Sequence, residues 1–378
     1  MTSKSNLLDI ALKNKTPLLI IDHEIIRNNF NRFSKRMPRV RPCYAIKANP
    51  ESEIINTLYK MGSGFDVASW EEFMIVYKVI KGNHDRKKRF MNNNVIYANP
   101  VKRIDSLRNL NNYYLQMTFD NFIEIDKIAR YCKNSRLILR IDVPNTGSVV
   151  ELSTKFGAPN DICIDLIKHA NKMGFNVNGL SFHVGSQCSN FDNYTQAFNI
   201  ASQIFEKSEQ IGNNLSILDI GGRFPVPYDD SVPSFEELAK IINNNIKEYF
   251  DSPEINIIAE PGRFLVATSA TAIVEINGKA TRNNKTYYYV NDGIYNTFSG
   301  VLFDHIQYHF KAFKEGELKE SAVVGPTCDA LDKISLNEML PELDIEALLY
   351  SENTGAYTNA SATHFNGFPP ANILHINT

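Results

Sequence analysis

A closed (β/α)8 barrel followed by an all-β domain is the fold this sequence predicts, and three observations predict it. Apolar runs of strand length recur eight times between Val40 and Ala259. Each of the first seven is followed by a stretch of helical character. Beyond Pro261-Gly262 the texture changes to β-branched and aromatic runs separated by turn signals.

Taken in order, the chain begins with a polar stretch, Met1 to Asp9, and then Pro17 to Ile21 reads as a strand. Asp22 is placed to cap a helix over His23 to Arg36. The barrel strands are read at Val40–Ile46, Gly64–Val67, Val95–Tyr97, Leu115–Phe119, Leu137–Ile141, Val177–Phe182, Ile217–Ile220 and Ile255–Ala259. The helices between them are read at Glu51–Lys60, Trp70–Ile80, Lys102–Leu110, Phe122–Tyr131, Asp161–Lys172, Tyr194–Gln210 and Phe235–Tyr249. The basic run Arg86-Lys-Lys-Arg89 and the cluster Asn92-Asn93-Asn94 read as loop. In the later part, Ala272–Ile276, Thr286–Val290, Val323-Val324 and Ile345–Tyr350 read as strands, with turns expected at Asn277-Gly278 and Asn283-Asn284. The early strand Leu18 to Ile21 is expected to join that late sheet. The domain expectation is therefore a barrel over 23–262 and a discontinuous β domain from 1–22 and 263–378.

With 378 residues, 43% hydrophobic and 22% charged, the chain supports a full-sized core. A net charge of -2 supplies no basic field for nucleic acid or another polyanion. The five cysteines, Cys43, Cys132, Cys163, Cys188 and Cys328, are widely spaced, with no Cys-x-x-Cys pair or companion histidine at metal-ligand spacing. No metal site is expected, and the pattern suits a reducing cytoplasm. No stretch approaches the ~18 apolar residues of a membrane span, and the first residues lack a signal-peptide core.

The C-terminal ends of the eight strands read Lys47, Asp66, Asn99, Asp120, Arg140, His183, Gly221-Gly222 and Glu260. Barrels of this kind build their sites at that rim. A lysine at the end of a buried strand is an unusual place for a hydrated ammonium. Gly221-Gly222 offers backbone N–H groups to an anion with no Cβ in the way. Ser186, Gly222 and Arg263 together make a candidate phosphate site. Singly, each has a plainer explanation: Lys47 snorkelling to solvent, His183 as a satisfied core histidine, Glu260 and Arg263 as an ion pair, the glycines as a tight turn. Together, a strand-end lysine, a flat ring, a carboxylate and a phosphate site are what pyridoxal 5'-phosphate requires. No dinucleotide-binding fingerprint accompanies them.

Six stretches carry a resemblance to a known family. They are Tyr44-Ala-Ile-Lys-Ala-Asn-Pro50, Gly64-Phe-Asp-Val-Ala-Ser69, Ser181-Phe-His-Val-Gly-Ser186, Glu260-Pro-Gly-Arg263, Gly325-Pro-Thr-Cys-Asp-Ala-Leu-Asp332 and Gly355-Ala-Tyr-Thr358. The chain resembles the fold-type III pyridoxal-phosphate decarboxylases of basic amino acids, most of all the eukaryotic-type ornithine decarboxylases, from about Thr16 to about Phe368. The resemblance implies a TIM-like barrel plus a β-sandwich, and a head-to-tail homodimer with active sites at the interface. It implies Lys47 as the Schiff-base lysine, His183 stacked on the cofactor ring and Glu260 paired with the pyridine nitrogen. Ser186, Gly221, Gly222, Arg263 and Tyr357 would hold the phosphate, and Asp66, Glu72 and Arg140 would line the cofactor site. Cys328 and Asp329 would reach into the partner's site, Cys328 as the acid that protonates Cα. Lys155 and Asp332 would pair across the interface.

The same resemblance makes Asp304, Asp329 and Tyr295 the substrate-binding candidates, two carboxylates suiting a terminal ammonium. Relatives acting on arginine tend to carry a longer acid at the position of Asp304, so the expected substrate is L-ornithine and the product putrescine. Lysine stays open, because one methylene is worth only about 1–3 kcal/mol of discrimination. The alternatives are a lysine or arginine decarboxylase, an amino-acid racemase, disfavoured by Cys328-Asp329, and a non-catalytic homologue, disfavoured by the retention of Lys47, Cys328 and the phosphate ligands. One departure is Arg223, where relatives commonly carry a third glycine; it either adds charge to the phosphate loop or points to solvent. No degradation-signalling extension is expected at the C-terminus.

Overall fold

Strands buried on both faces need helices around them, and this chain alternates the two along most of its length. The structure is a computed structural model describing residues 3–144, 155–185, 190–222, 224–226 and 233–378. Its contacts divide into two units, Phe30–Phe264 and a second made of Met1–Asn29 with Leu265–Thr378.

Strand β1 spans Leu18–Asp22 and belongs to the second unit. The first unit is a closed parallel barrel of β2 (Val40–Ala45), β3 (Gly64–Val67), β4 (Val95–Tyr97), β5 (Leu115–Phe119), β6 (Ser135–Arg140), β7 (Val177–Ser181), β8 (Ile217–Asp219) and β9 (Asn256–Ala259). Closure is made by β9 pairing back onto β2, Val40 opposite Ile257. Cys43, Ile96, Ile138, Ile217 and Ile258 form a buried cluster drawn from five of these strands, so the barrel centre is packed rather than open. Register sets the rim: Ala45 lies beside Asp66, and Arg140, Ser181 and Asp219 lie in one row.

The helices start where short polar side chains can satisfy unpaired N–H groups. Ser69 caps Trp70–Val79, Asn121 caps Phe122–Tyr131, and Ser234 with Glu237 forms a reciprocal capping box on Phe235–Tyr249. Each cap contributes about 1 kcal/mol and fixes the loop that precedes it. Among the described residues no helix is long and apolar enough to cross a membrane.

In the second unit, β10 (Ala270–Arg282) pairs with β1 and β15 (Leu348–Glu352) through its first half, and with β11 (Lys285–Val290) through its second. The remaining strands are β12 (Lys311–Ala312), β13 (Lys319–Val324), β14 (Lys333–Leu340) and β16 (Asn372–Ile376). The order is β12-β15-β10-β11-β13-β14, with β1 bridging β10 and β16. The early strand is thus part of the late sheet.

Three local expectations are corrected. The polar start is a helix, Lys4–Lys13, capped by Ser3, whose Leu7 and Ala11 pack on Leu18, Ile20, Ile273 and Tyr350. Ile10 packs against the same cluster, so one apolar stripe seats the helix. The run Arg86-Lys-Lys-Arg89 and Asn92-Asn93-Asn94 lie in a helix, His84–Asn94, capped by Asn83 and anchored by buried Met91. Finally, Asn277-Gly278 is a bulge inside β10, where the strand changes partners; the turn is Asn283-Asn284, with φ of 51° and 60° as a two-residue hairpin of the I′ type demands.

Candidate active site

On the barrel unit, Lys47 sits in a single 3-10 turn, Ile46–Ala48, immediately after β2. The Tyr44 hydroxyl donates to the Asn49 carbonyl at 2.9 Å and pins the chain as it leaves the strand. The Lys47 side chain is 52% exposed, and its Nζ lies 3.8 Å from Oδ2 of Asp66, which is buried on β3. Burial pushes the Asp66 carboxyl well up, Glu260 pushes it further, and Lys47 pulls it back. Glu72 accepts the Ala68 N–H at 2.7 Å and is also raised by burial.

Beside them on the rim, at the ends of the adjoining β8 and β9, lies a pair of acids. Burial, then the neighbouring Asp219, pushes Glu260 up to about 8. Asp219 is pushed up to about 7 by burial, although the Gly221 N–H and a hydrogen bond with Glu260 draw it down. Arg140, lowered by burial, is supported by Glu260, Asp120, Asp219 and Asp66. Asp66, Asp219 and Glu260 therefore converge on two cations, Lys47 and Arg140, and the surplus is held as protons. Asp219, two residues before the glycine pair, is not among the strand-end candidates. Its inward place in the row with Arg140 and Ser181 is what reveals its part.

The glycine pair is required sterically. At Gly221, φ is +70° and a Cβ would meet the Phe182 carbonyl oxygen at 2.4 Å; at Gly222 a Cβ would meet that of Glu260 at 2.5 Å. Half-buried His183 accepts the Gly185 N–H on Nδ1 at 3.3 Å, which places its own proton on Nε2. Arg263 opens the short helix Arg263–Val266. Ser186 and Arg223 lie outside the described residues. Two other strand-end residues serve loops: Asp120 accepts the Gly157 N–H at 3.0 Å, and Asn99 accepts the Val101 N–H at 3.2 Å. Lys155, next to that loop, has its Nζ 5.0 Å from the Phe156 ring centroid.

The remaining candidates lie in the second unit. Asp332, buried at the foot of the loop between β13 and β14, organises that loop. Its Oδ1 accepts the Ile294 N–H at 3.0 Å, and its Oδ2 accepts the Thr327 N–H at 3.1 Å and hydroxyl at 2.7 Å. A Cβ at Gly325 would come within 2.1 Å of this carboxylate, so only glycine fits. At the tip, Cys328 is exposed. Asp329 accepts the Leu331 N–H at 2.9 Å and the Tyr295 hydroxyl, and these two bonds hold it below the usual carboxylate range. Tyr295, pushed up to about 12 by that bond to Asp329, stacks on Phe365 at 4.2 Å. Asp304 follows the short helix Gly300–Phe303. Tyr357, with φ +58°, has its carbonyl bound by Ser299 and Ser361.

Sequence reasoning missed Asn366. Its Oδ1 lies 3.1 Å from the Cys328 nitrogen and 3.3 Å from Sγ, across 38 residues of chain.

The comparisons with known proteins agree with this chemistry. Residues 23–267 match the family described as pyridoxal-dependent decarboxylase, pyridoxal binding domain. A Selenomonas ruminantium lysine/ornithine decarboxylase is 36% identical over 97% of this chain and 91% of its own. Mus musculus ornithine decarboxylase and Xenopus laevis antizyme inhibitor 2 are each 38% identical over 91% of this chain and 77% of theirs. Among solved structures, a mutant of the Selenomonas lysine decarboxylase in complex with pyridoxal phosphate superposes with a TM-score of 0.92, at 35% identity, over 100% of this chain and 96% of that one. The arginine decarboxylase of Paramecium bursaria Chlorella virus also gives 0.92, at 30% identity, over 99% and 100%. The residues present fit the cofactor: an amine beside an acid, a buried carboxyl pushed towards its protonated form, an imidazole and a glycine cradle that a Cβ would fill. The chain belongs to the pyridoxal-phosphate-dependent decarboxylases of basic amino acids, a fold-type III family.

Proposed function

We propose that this protein decarboxylates L-ornithine to putrescine and CO2, feeding polyamine synthesis, with L-lysine to cadaverine as a side activity. The observation that carries the reading is the pairing of Cys328 with an ionised Asp329 at one exposed loop tip, an acid beside a site for a cationic tail. The homologues named for ornithine and lysine support the same substrate class.

Bound pyridoxal phosphate supplies the electron sink that accepts the pair left when the carboxylate departs. Lys47 would anchor it, His183 would support its ring, and Glu260, sharing a proton with Asp219, would serve its ring nitrogen. Gly222, Arg263, Ser186 and Tyr357 would hold the phosphate. Gly221 has given its N–H to Asp219, so the anion-facing amide of the pair falls to Gly222. Asp304 and Asp329 bind the distal ammonium, with Tyr295 fixing Asp329. Cys328 delivers its proton to Cα, and the thiolate regains one from solvent.

The working unit is a homodimer in which Cys328 and Asp329 of one subunit serve the other's site. Leu331, 65% exposed beside them, and Met339, 56% exposed on β14, are the apolar surface such an interface covers. Lys155 and Asp332 pair across it, Asp332 accepting the ammonium in addition to its own loop's donors. Four described cysteines are free, which supports a cytoplasmic location.

A relative named for inhibiting antizyme raises a second reading, a non-catalytic homologue. CO2 release measured in parallel on ornithine, lysine and arginine with added cofactor decides. Ornithine is expected to turn over fastest; arginine turned over equally well overturns the substrate, and no release from any of them overturns the enzyme.

A further inference from the structure

We infer that Asn366 is the positioning residue that holds the Cys328 thiol as a proton donor, an inference that rests on the reading of Cys328 as the acid. Two donors converge on one atom of Asn366. The Cys328 N–H reaches Oδ1 at 3.1 Å and the Cys328 S–H reaches it at 3.3 Å, which identifies the atom as oxygen rather than nitrogen. An amide oxygen accepts the hydrogen bond but cannot take the proton, so it holds the S–H in one direction without consuming it. The same bond to the backbone fixes the direction in which the Cα–Cβ bond of Cys328 leaves the loop.

The holder is itself held. Asn366 sits in the left-handed region, φ 52°, within the 3-10 turn Phe365–Gly367, a conformation asparagine tolerates and most residues do not. The turn is tied down on both sides. Phe365 N–H donates to the Thr363 hydroxyl at 3.2 Å, and Thr363 donates its N–H and hydroxyl to the Tyr295 carbonyl, each at 3.0 Å. The Phe365 ring stacks on Tyr295, whose hydroxyl holds Asp329. One turn therefore grips adjacent residues at two points, Cys328 through Asn366 and Asp329 through the Phe365–Tyr295 stack. The proton donor and the carboxylate keep a fixed spacing because both are referred to the same five residues, 363–367.

The test uses the holoenzyme. Asn366→Gly accepts the backbone conformation and removes only the side-chain acceptor; Asn366→Asp keeps an acceptor at the same place. Alkylation of Cys328 by iodoacetamide, followed by peptide mass with Cys328→Ala as the blank, is expected to run about fivefold faster in Asn366→Gly and within about twofold of wild type in Asn366→Asp, the range one hydrogen bond sets. Aldehyde formed per CO2 released, the signature of protonation at the wrong carbon, is expected to rise about fivefold in Asn366→Gly alone. Alkylation at the wild-type rate in Asn366→Gly overturns the inference, as does an unchanged aldehyde ratio. Faster alkylation in a protein whose wild type releases no CO2 overturns the enzymatic reading and leaves the hold on Cys328 standing.

Discussion

The barrel rim and the β13–β14 loop both bury carboxylates, and they treat them in opposite ways. At the rim, Asp66, Asp219 and Glu260 are crowded together with two cations between them and are pushed towards their protonated forms. In the loop, Asp332 takes three donors from its own chain. The rim is held by strands and can carry electrostatic strain; the loop has no ladder at its tip and needs its carboxylate as a strut. The rim acids press on one another and on the cations between them, whereas the loop acid braces its own backbone.

Substitutions should separate the two. The largest effect is expected at Lys47: Lys47→Ala should abolish the visible absorbance of bound cofactor and CO2 release together, with the thermal midpoint of the cofactor-free protein nearly unchanged. A colourless wild type with full activity would break the account of the rim. Next, Cys328→Ala should lower kcat by roughly 10²-fold, the lower end of what a positioned acid provides, while cofactor absorbance persists.

The rim acids and Asp332 should then show opposite signs in stability. Glu260 and Asp219, pushed up to about 8 and about 7, keep protons in the folded state that the unfolded chain releases near pH 4. The folded state therefore binds more protons between those limits, and stability falls as pH rises from about 4 to about 8. Glu260→Gln should stabilise the cofactor-free protein by roughly 2–4 kcal/mol at pH 8.5, and by much less at pH 5. A denaturant midpoint with no pH-dependent gap would contradict this. Asp332→Ala should destabilise by about 1–3 kcal/mol, leaving the Thr327 and Ile294 donors unsatisfied, and hydrogen exchange should quicken in 325–332 while the rim stays protected.

Much of the rim was legible in the sequence because a barrel repeats. Eight apolar runs with polar ends point to the barrel, and Lys47, Asp66, Arg140, His183 and Glu260 follow as candidates from counting strand ends. At two strand ends the side chain also serves a loop: Asn99 accepts from Val101, and Asp120, which supports Arg140, accepts from Gly157. Asp219 was hidden because its role depends on register with Arg140, which no local pattern records. The second unit was harder to read. Its turn at Asn283-Asn284 carried a local signal, but the bulge at Asn277-Gly278 looked the same in sequence and differs only in what β10 pairs with. Asn366 was invisible for a similar reason: nothing in Phe365-Asn366-Gly367 announces a thiol 38 residues away.

The central claim is that the rim of one subunit and the loop of its partner make one active site. Inactive Lys47→Ala and Cys328→Ala proteins, unfolded or dissociated together in equal amounts and reassembled, test it directly. Random pairing makes half the dimers mixed, each with one intact site of two, so the account predicts recovery of about a quarter of wild-type CO2 release. No recovery, with mixed dimers demonstrated by mass, would contradict it.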